Sequence, residues 1–276
     1  MRRTAVIETS TQPSSTAPGN TPILSVQGLR KSYRTRTGDQ FVLDDVDLDV
    51  ATGEFVCLVG PSGAGKTTLL RCMSGLMPPT AGTVQVQGRV VDRPPAEIAV
   101  VFQDYSRSLM PWMSVERNVM LPLRSKGMPK TERIATAQAA LIAVGLDGTG
   151  TKYPWQLSGG MQQRVAIARA LAYEPRALLM DEPFASVDAQ TRADLEDLVL
   201  SVRDAFGMTI VLVTHDIDEA VYLGDRVVVL SGSPTRVREE ITVDLGPNRD
   251  QLATKALPEF VALRTRVLRL IREANA

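Results

Sequence analysis

Residues 55–67 read Phe55-Val56-Cys57-Leu58-Val59-Gly60-Pro61-Ser62-Gly63-Ala64-Gly65-Lys66-Thr67, an unbroken apolar run that opens onto glycines, a lysine and a threonine. An apolar run with no polar alternation reads as a strand covered on both faces. Glycines directly after it allow backbone N–H groups to approach an anion with no side chain intervening. A plain glycine-rich turn is the competing reading. The strand before and the helical pattern after, with the spacing G-x-x-x-x-G-K-T, point instead to a cradle for the phosphates of a nucleoside triphosphate. Gly60, Pro61, Ser62, Gly63, Ala64, Gly65, Lys66, Thr67 and the adjoining Thr68 are therefore candidate ligand-binding residues. Lys66 offers a movable positive charge to the outer phosphates, and the Thr67 hydroxyl is a ligand for Mg²⁺.

Three further runs share the character of 55–60: 98–103 (IAVVFQ), 177–182 (ALLMDE) and 209–215 (TIVLVTH). Ligands of a parallel sheet gather beyond the carboxyl ends of its strands. Gly60, Gln103, Asp181, Glu182 and His215 all fall there. Asp181, leaving a buried strand beside the loop, is a candidate Mg²⁺ ligand. Glu182 is then placed to orient and deprotonate an attacking water. Carboxylates after strands also cap helices or face solvent; the phosphate loop tips the balance here. His215, the one histidine of the chain, can contact the terminal phosphate and order that water as a neutral imidazole.

Outside these runs the pattern changes. Residues 1–21 are rich in Ser, Thr and Pro and are expected to form a disordered tail. Strand-like segments are expected at 23–29 and 41–50, antiparallel edge strands around TVQVQG and RVV, and, after a strand at 226–230, a further β segment at 236–245. Between Gln103 and Ala177 the period is helical, with segments 114–126, 131–144 and 158–173 capped by Ser114, Thr131 and Ser158. A last helix spans about 258–272, its apolar side made by Phe260, Leu263, Val267, Leu270 and Ile271 and its arginines solvated. The expected fold class is α/β: a P-loop NTPase with a mixed sheet core, an antiparallel β subdomain and an inserted all-helical subdomain. The expected domain is 22–276, with 104–175 as the helical insert and 246–276 as a C-terminal helical extension.

Composition adds exclusions. The 276 residues are 44% hydrophobic and 22% charged with a net charge of +0, so no global charge draws the chain to nucleic acid. Two cysteines, Cys57 and Cys72, make no disulfide framework and suit a reducing compartment. No window reaches the roughly twenty apolar residues of a membrane span. Arg2-Arg3 is followed by no apolar export segment, so work at a membrane would require a partner there.

The stretch 157–164, LSGGMQQR, narrows the reading further. Ser158 should cap the following helix and leave the N–H groups of Gly159 and Gly160 at its positive end, an anion site without a charged side chain. With the phosphate loop, this octet resembles the signature of ABC-type ATPases, and the likeness runs from residue 23 onward. The resemblance implies ATP and Mg²⁺ as ligands and a head-to-tail dimer in which the signature of one chain closes on ATP held by its partner. It implies that Tyr33 stacks on adenine, that Gln103 touches Mg²⁺ and signals to a membrane subunit, and that Asp188 communicates across the dimer. Met161 stands where Gln is more common in LSGGQ, and Val187 where SALD has Leu.

Segments 109–119, 153–164, 180–192 and 213–230 are similar to importer ATPases for nitrate, taurine and aliphatic sulfonates. That likeness implies a place on the cytoplasmic face of the membrane, an integral-membrane permease as partner, and an extracytoplasmic solute-binding protein acting through it. An exporter subunit or a non-transport ABC ATPase stays open. The lack of an extra C-terminal domain argues against maltose-type importers. Residues 105–113 concentrate apolar groups beyond Gln103, with Leu109 and Met110 favoured over Trp112 and Met113 for contact with a partner's helix.

Overall fold

A computed structural model describes residues 22–36, 38–104 and 108–274; the expected tail at 1–21 and Tyr105–Arg107 lie outside them. Strands β1 (Leu24–Thr35), β2 (Gly38–Val50), β4 (Ala81–Val86) and β5 (Arg89–Val90) form an antiparallel sheet in the order β2-β1-β4-β5. The second sheet combines β3 (Phe55–Val59), β6 (Ile98–Val101), β7 (Ala177–Asp181), β8 (Thr209–Val213), β9 (Arg226–Leu230) and β10 (Val237–Thr242). Its order is β10-β9-β3-β8-β7-β6, parallel throughout except for β10.

Every residue of β3, β7 and β8 is buried, which is why these strands read as continuous apolar runs. The pleat of β3 divides them: Phe55, Cys57 and Val59 enter one core, Val56 and Leu58 the other. The second core lies between the two sheets and includes Leu69, Leu70 and Met73 of α1 (Lys66–Met73), so the helix that opens at the phosphate loop is packed on both sheets. Both cysteines are buried within these cores. In β2 the apolar residues Leu43 and Val46 break strict alternation because one extra residue is inserted there: Leu29 pairs with Val46 but Lys31 with Leu43. Asp45 absorbs this bulge at φ 59°.

Between β6 and β7 the described residues are helical: α2 (Val115–Met120), α3 (Lys130–Ala143) and α4 (Gly159–Ala172) pack on one another through Val115, Val119, Ala137, Leu141, Val165 and Ala168. Two expectations change here. The helix foreseen over 114–126 stops at Met120 and gives way to a 3₁₀ turn at Pro122–Arg124, since Pro122 has no N–H to continue the ladder. Thr131 is not a cap: α3 starts at Lys130 after Pro129, whose carbonyl takes the first helical bond from Arg133 N at 2.9 Å. Ser114 and Ser158 do cap α2 and α4, accepting from the N–H of Arg117 and of Met161.

Fully buried Asn118 clasps the preceding loop, accepting from Met110 N at 2.7 Å and donating to the carbonyls of Met110, Met113 and Ser114, each at 3.1 Å. The clasp turns Leu109 into the core (2% exposed) and Trp112 outward (69% exposed), reversing the preference for Leu109 as a surface contact. Helices α5 (Ala189–Phe206) and α6 (Ile217–Leu223) complete the crossovers around β8. The last helix, α7 (Pro258–Ala274), buries Phe260 and Val267. Its arginines are exposed, as expected: Arg266 pairs with Glu239 at the surface, and Arg264 lies 3.7 Å from Asp218. Among the described residues no helix is long and apolar enough to cross a membrane.

Candidate functional site

The carboxyl ends of β3, β7 and β8 converge on one cleft of about 540 Å³, lined by Val42, residues 62–68, Glu182 and His215. The loop from β3 to α1 turns through Gly63 and Gly65, both at φ 78°. At Gly65 the left-handed backbone coincides with close packing, because a Cβ there would stand 2.7 Å from Val42 Cγ1 and 3.3 Å from Thr235 Oγ1. Val42 is a lining residue without a sequence signal; it arrives from the antiparallel sheet, and only the fold brings it to the loop.

Lys66 is buried at the base of the cleft, its Nζ donating to the carbonyls of Gly60 at 2.8 Å and Pro61 at 2.9 Å. Burial lowers its pKa, while Glu182 and Asp181 oppose that shift. Thr67 donates its hydroxyl proton to Asp181 Oδ1 at 3.1 Å. Burial raises the pKa of Asp181, and the Thr67 hydrogen bond works against it. A hydroxyl and a carboxylate oxygen this close are the hard oxygen donors that Mg²⁺ takes, so the chemistry of the pair suits that ion.

Glu182 lies one residue beyond β7, its N–H held by Val213 O at 2.8 Å. Its backbone sits at φ 44°, a left-handed conformation that costs a non-glycine residue roughly 1–3 kcal/mol. One carboxylate oxygen, Oε2, meets both Gln103 Nε2 and His215 Nδ1, each at 3.1 Å. Three hydrogen-bonded groups therefore lie at the ends of four strands: Lys66 with the loop carbonyls, Thr67 with Asp181, and Gln103 and His215 with Glu182.

Other candidates stand apart from it. Ser158, Gly159 and Gly160, at the start of α4, contribute nothing to the walls of the cleft. Tyr33 on β1 is also outside: its hydroxyl donates to Met77 Sδ at 3.1 Å and its ring lies 5.6 Å from Lys31 Nζ. Asp188 caps α5, accepting from Thr191 N at 3.0 Å and Thr191 Oγ1 at 2.7 Å, and these bonds hold its pKa below the usual carboxylate value. Thr191 in turn packs on Gly160, where a Cβ would approach Thr191 Cγ2 to 2.3 Å. The signature and Asp188 therefore form one surface, separate from the phosphate loop of the same chain.

A site of this construction takes the phosphates of a nucleotide on a glycine loop and sets a carboxylate and a histidine against them, and its class is that of the P-loop nucleoside triphosphatases. Comparison with known proteins carries this further. The ABC transporter family's profile matches residues 43–185. A nitrate import ATP-binding protein of Synechocystis sp. is 41% identical over 254 residues, covering 90% of this chain and 95% of the relative. A taurine import ATP-binding protein of Yersinia pestis is 44% identical over 250 residues, covering 89% and 96%. A solved dimer of an ATP-binding cassette in a post-hydrolysis state, bound to ADP and Pi, matches with a TM-score of 0.71 at 33% identity, over 80% of this chain and 99% of that one. The chain belongs to the ABC transporter family, as an ATP-binding cassette that hydrolyses ATP.

Proposed function

We propose that the chain powers uptake of a small solute, of the nitrate, taurine or aliphatic sulfonate kind, through a permease at the cytoplasmic face of the membrane. A solute-binding protein would deliver that solute from the other side. The names of the relatives support import. The observation that carries the catalytic reading is the single Glu182 oxygen shared by Gln103 and His215 at the mouth of the phosphate loop.

In this reading the loop N–H groups and Lys66 bind the β- and γ-phosphates, and Lys66 exchanges its bonds to Gly60 O and Pro61 O for phosphate oxygens. Thr67 and Asp181 would hold Mg²⁺, with Gln103 reaching it when nucleotide is bound; the ion supplies charge neutralisation to the phosphates. Glu182 orients the attacking water and accepts its proton, and His215 contacts the γ-phosphate and steadies the carboxylate. Tyr33 stacks on the adenine.

The signature surface lies away from the cleft of its own chain, which suits a head-to-tail dimer. Ser158, Gly159 and Gly160 of one protomer then complete the site of the other, with Asp188 facing across the joint. ATP bridges and closes the pair; loss of the γ-phosphate opens it, and the permease follows. Glu182→Gln keeps the hydrogen-bonding shape and removes the base. In the presence of ATP and Mg²⁺ it should run as a stable dimer on size exclusion, with turnover reduced at least about a hundredfold. A monomer under those conditions would defeat the composite-site reading.

A further inference from the structure

The His215 imidazole is 58% exposed, so it depends on its chain neighbours for its place beside Glu182. Both neighbours are tied down. Thr214, 1% exposed, donates its backbone N–H to Leu58 O at 3.1 Å and its hydroxyl proton to Glu219 Oε2 at 2.7 Å, and accepts from Asp216 N at 3.0 Å. Asp216 Oδ1 caps α6 by accepting from the N–H of Asp218 at 2.9 Å and of Glu219 at 3.2 Å, while Oδ2 meets Arg192 Nη1 at 3.1 Å.

Glu219 is the unusual member. It is 5% exposed, and its second oxygen, Oε1, has no hydrogen-bond partner. Among the described residues no cation forms a salt bridge with it, and Arg192 acts on it only at longer range. Arg192 of α5 is taken up by Asp216, and Glu196 of α5 by Lys255 at 3.3 Å. On β9 Arg226 binds Glu54, Arg264 of α7 lies nearest Asp218, and Arg249 donates to Tyr222 O. Cys57 on β3 carries a thiol whose pKa burial raises well above its ordinary value, with Glu219 adding to the rise. An ionised Glu219 would be a buried charge with one oxygen unpartnered beside Glu196 and Asp216; protonation removes that charge and keeps the Thr214 bond. Burial, with Glu196 and Asp216 adding to it against the Thr214 bond and Arg192, pushes its pKa up to about 8.

We propose that Glu219 is a positioning residue for His215, a neutral buried acid that holds the Thr214–Asp216 turn in place and lets it loosen on ionising. It deepens the reading of His215 given above and rests on it. An ionised carboxylate recovers hydration only if water enters beside Thr214, and the strand end that carries His215 moves with that opening. The contact acts on the chemical step through the imidazole.

The test is steady-state ATP hydrolysis by the full chain from about pH 6 to about pH 9.5, for wild type, Glu219→Gln and Glu219→Ala, with thermal unfolding of each recorded alongside. Wild-type kcat should fall about fivefold or more around pH 8 while Glu219→Gln, which cannot ionise, keeps its rate through that range. Lys66, Asp181 and Cys57 are common to both proteins, so the difference isolates Glu219. Glu219→Ala should lose about tenfold in kcat with KM for ATP within about twofold, and the Gln variant should recover it. If the Ala variant does not fold, the pair of wild-type and Gln profiles decides. Superimposable profiles, or an Ala defect confined to KM, would overturn the proposal while ATP hydrolysis itself stands. Absence of turnover in wild type, or full turnover in Glu182→Gln, would instead remove the catalytic reading beneath it.

Discussion

Glu182 shows at the scale of one residue how the site is assembled. Its left-handed backbone turns the carboxylate back towards Gln103 and His215 instead of onward into a helix, and the Val213 carbonyl holds it there. The sequence marked Glu182 by its position after an apolar run, but no local pattern announces a positive φ at a glutamate. Glu219 was equally silent: in sequence it is one acidic residue in the first turn of a helix, and only packing shows it to be buried. Its raised pKa has a consequence for stability with a definite sign. The unfolded chain ionises this glutamate near 4.5 and the folded chain near 8. The folded state is therefore best favoured below the lower value and loses stability steadily as pH climbs to the upper one, by roughly 3–5 kcal/mol in all. Urea unfolding of wild type and Glu219→Gln between about pH 5 and about pH 8 should show their stabilities diverging, the wild type falling relative to the variant; parallel curves would mean the acid is not held neutral.

Elements place these residues. Strand β3 divides its side chains between two cores and delivers the phosphate loop to α1, while β7 and β8 bring the acids and the histidine to the same edge. The start of α4 meets the start of α5 at Gly160 and Thr191, and that joint ties the signature to Asp188. Thr191 has little room to yield, because its hydroxyl is held by Asp188 at 2.7 Å and its methyl faces Gly160. Gly160→Ala should therefore cost about 1–3 kcal/mol by overpacking, read as a lowered unfolding midpoint, and should weaken ATP-dependent dimerisation more than ATP binding to the monomer. A variant as stable as wild type with an unaltered dimer would show that the joint is looser than its geometry.

At the scale of the whole molecule, one chain carries a phosphate cleft and a separate signature surface, and the proposed cycle needs two chains to join them. The arrangement makes a complementation test possible. Lys66→Ala disables the loop and leaves the signature; Ser158→Arg does the reverse. Each homodimer would have no intact composite site. A mixed dimer would have one, so combining two silent variants should restore up to about a quarter of the wild-type rate. Silence in the mixture, with both variants folded, would count against head-to-tail pairing.

What the sequence determined by itself is whatever depends on local pattern. Continuous apolar runs specified strands buried on both faces at β3, β7 and β8, though not at β6, which lies at the sheet edge and is partly covered; the loop after β3 specified a phosphate cradle because glycine spacing and a strand-to-helix context are local properties. Ser114 and Ser158 declared their helices because a cap is made within four residues. Helix ends that turned on proline, at Pro122 and Pro129, were misread where chain chemistry competed with periodicity. Tertiary structure decided the rest, since burial and partnership are set by residues far apart in sequence. It brought Val42 to the phosphate loop, turned Leu109 inward and Trp112 outward through the Asn118 clasp, and buried Glu219 with one oxygen unpartnered. The charge state of an acid depends on what surrounds it in space, and a linear sequence does not carry that information.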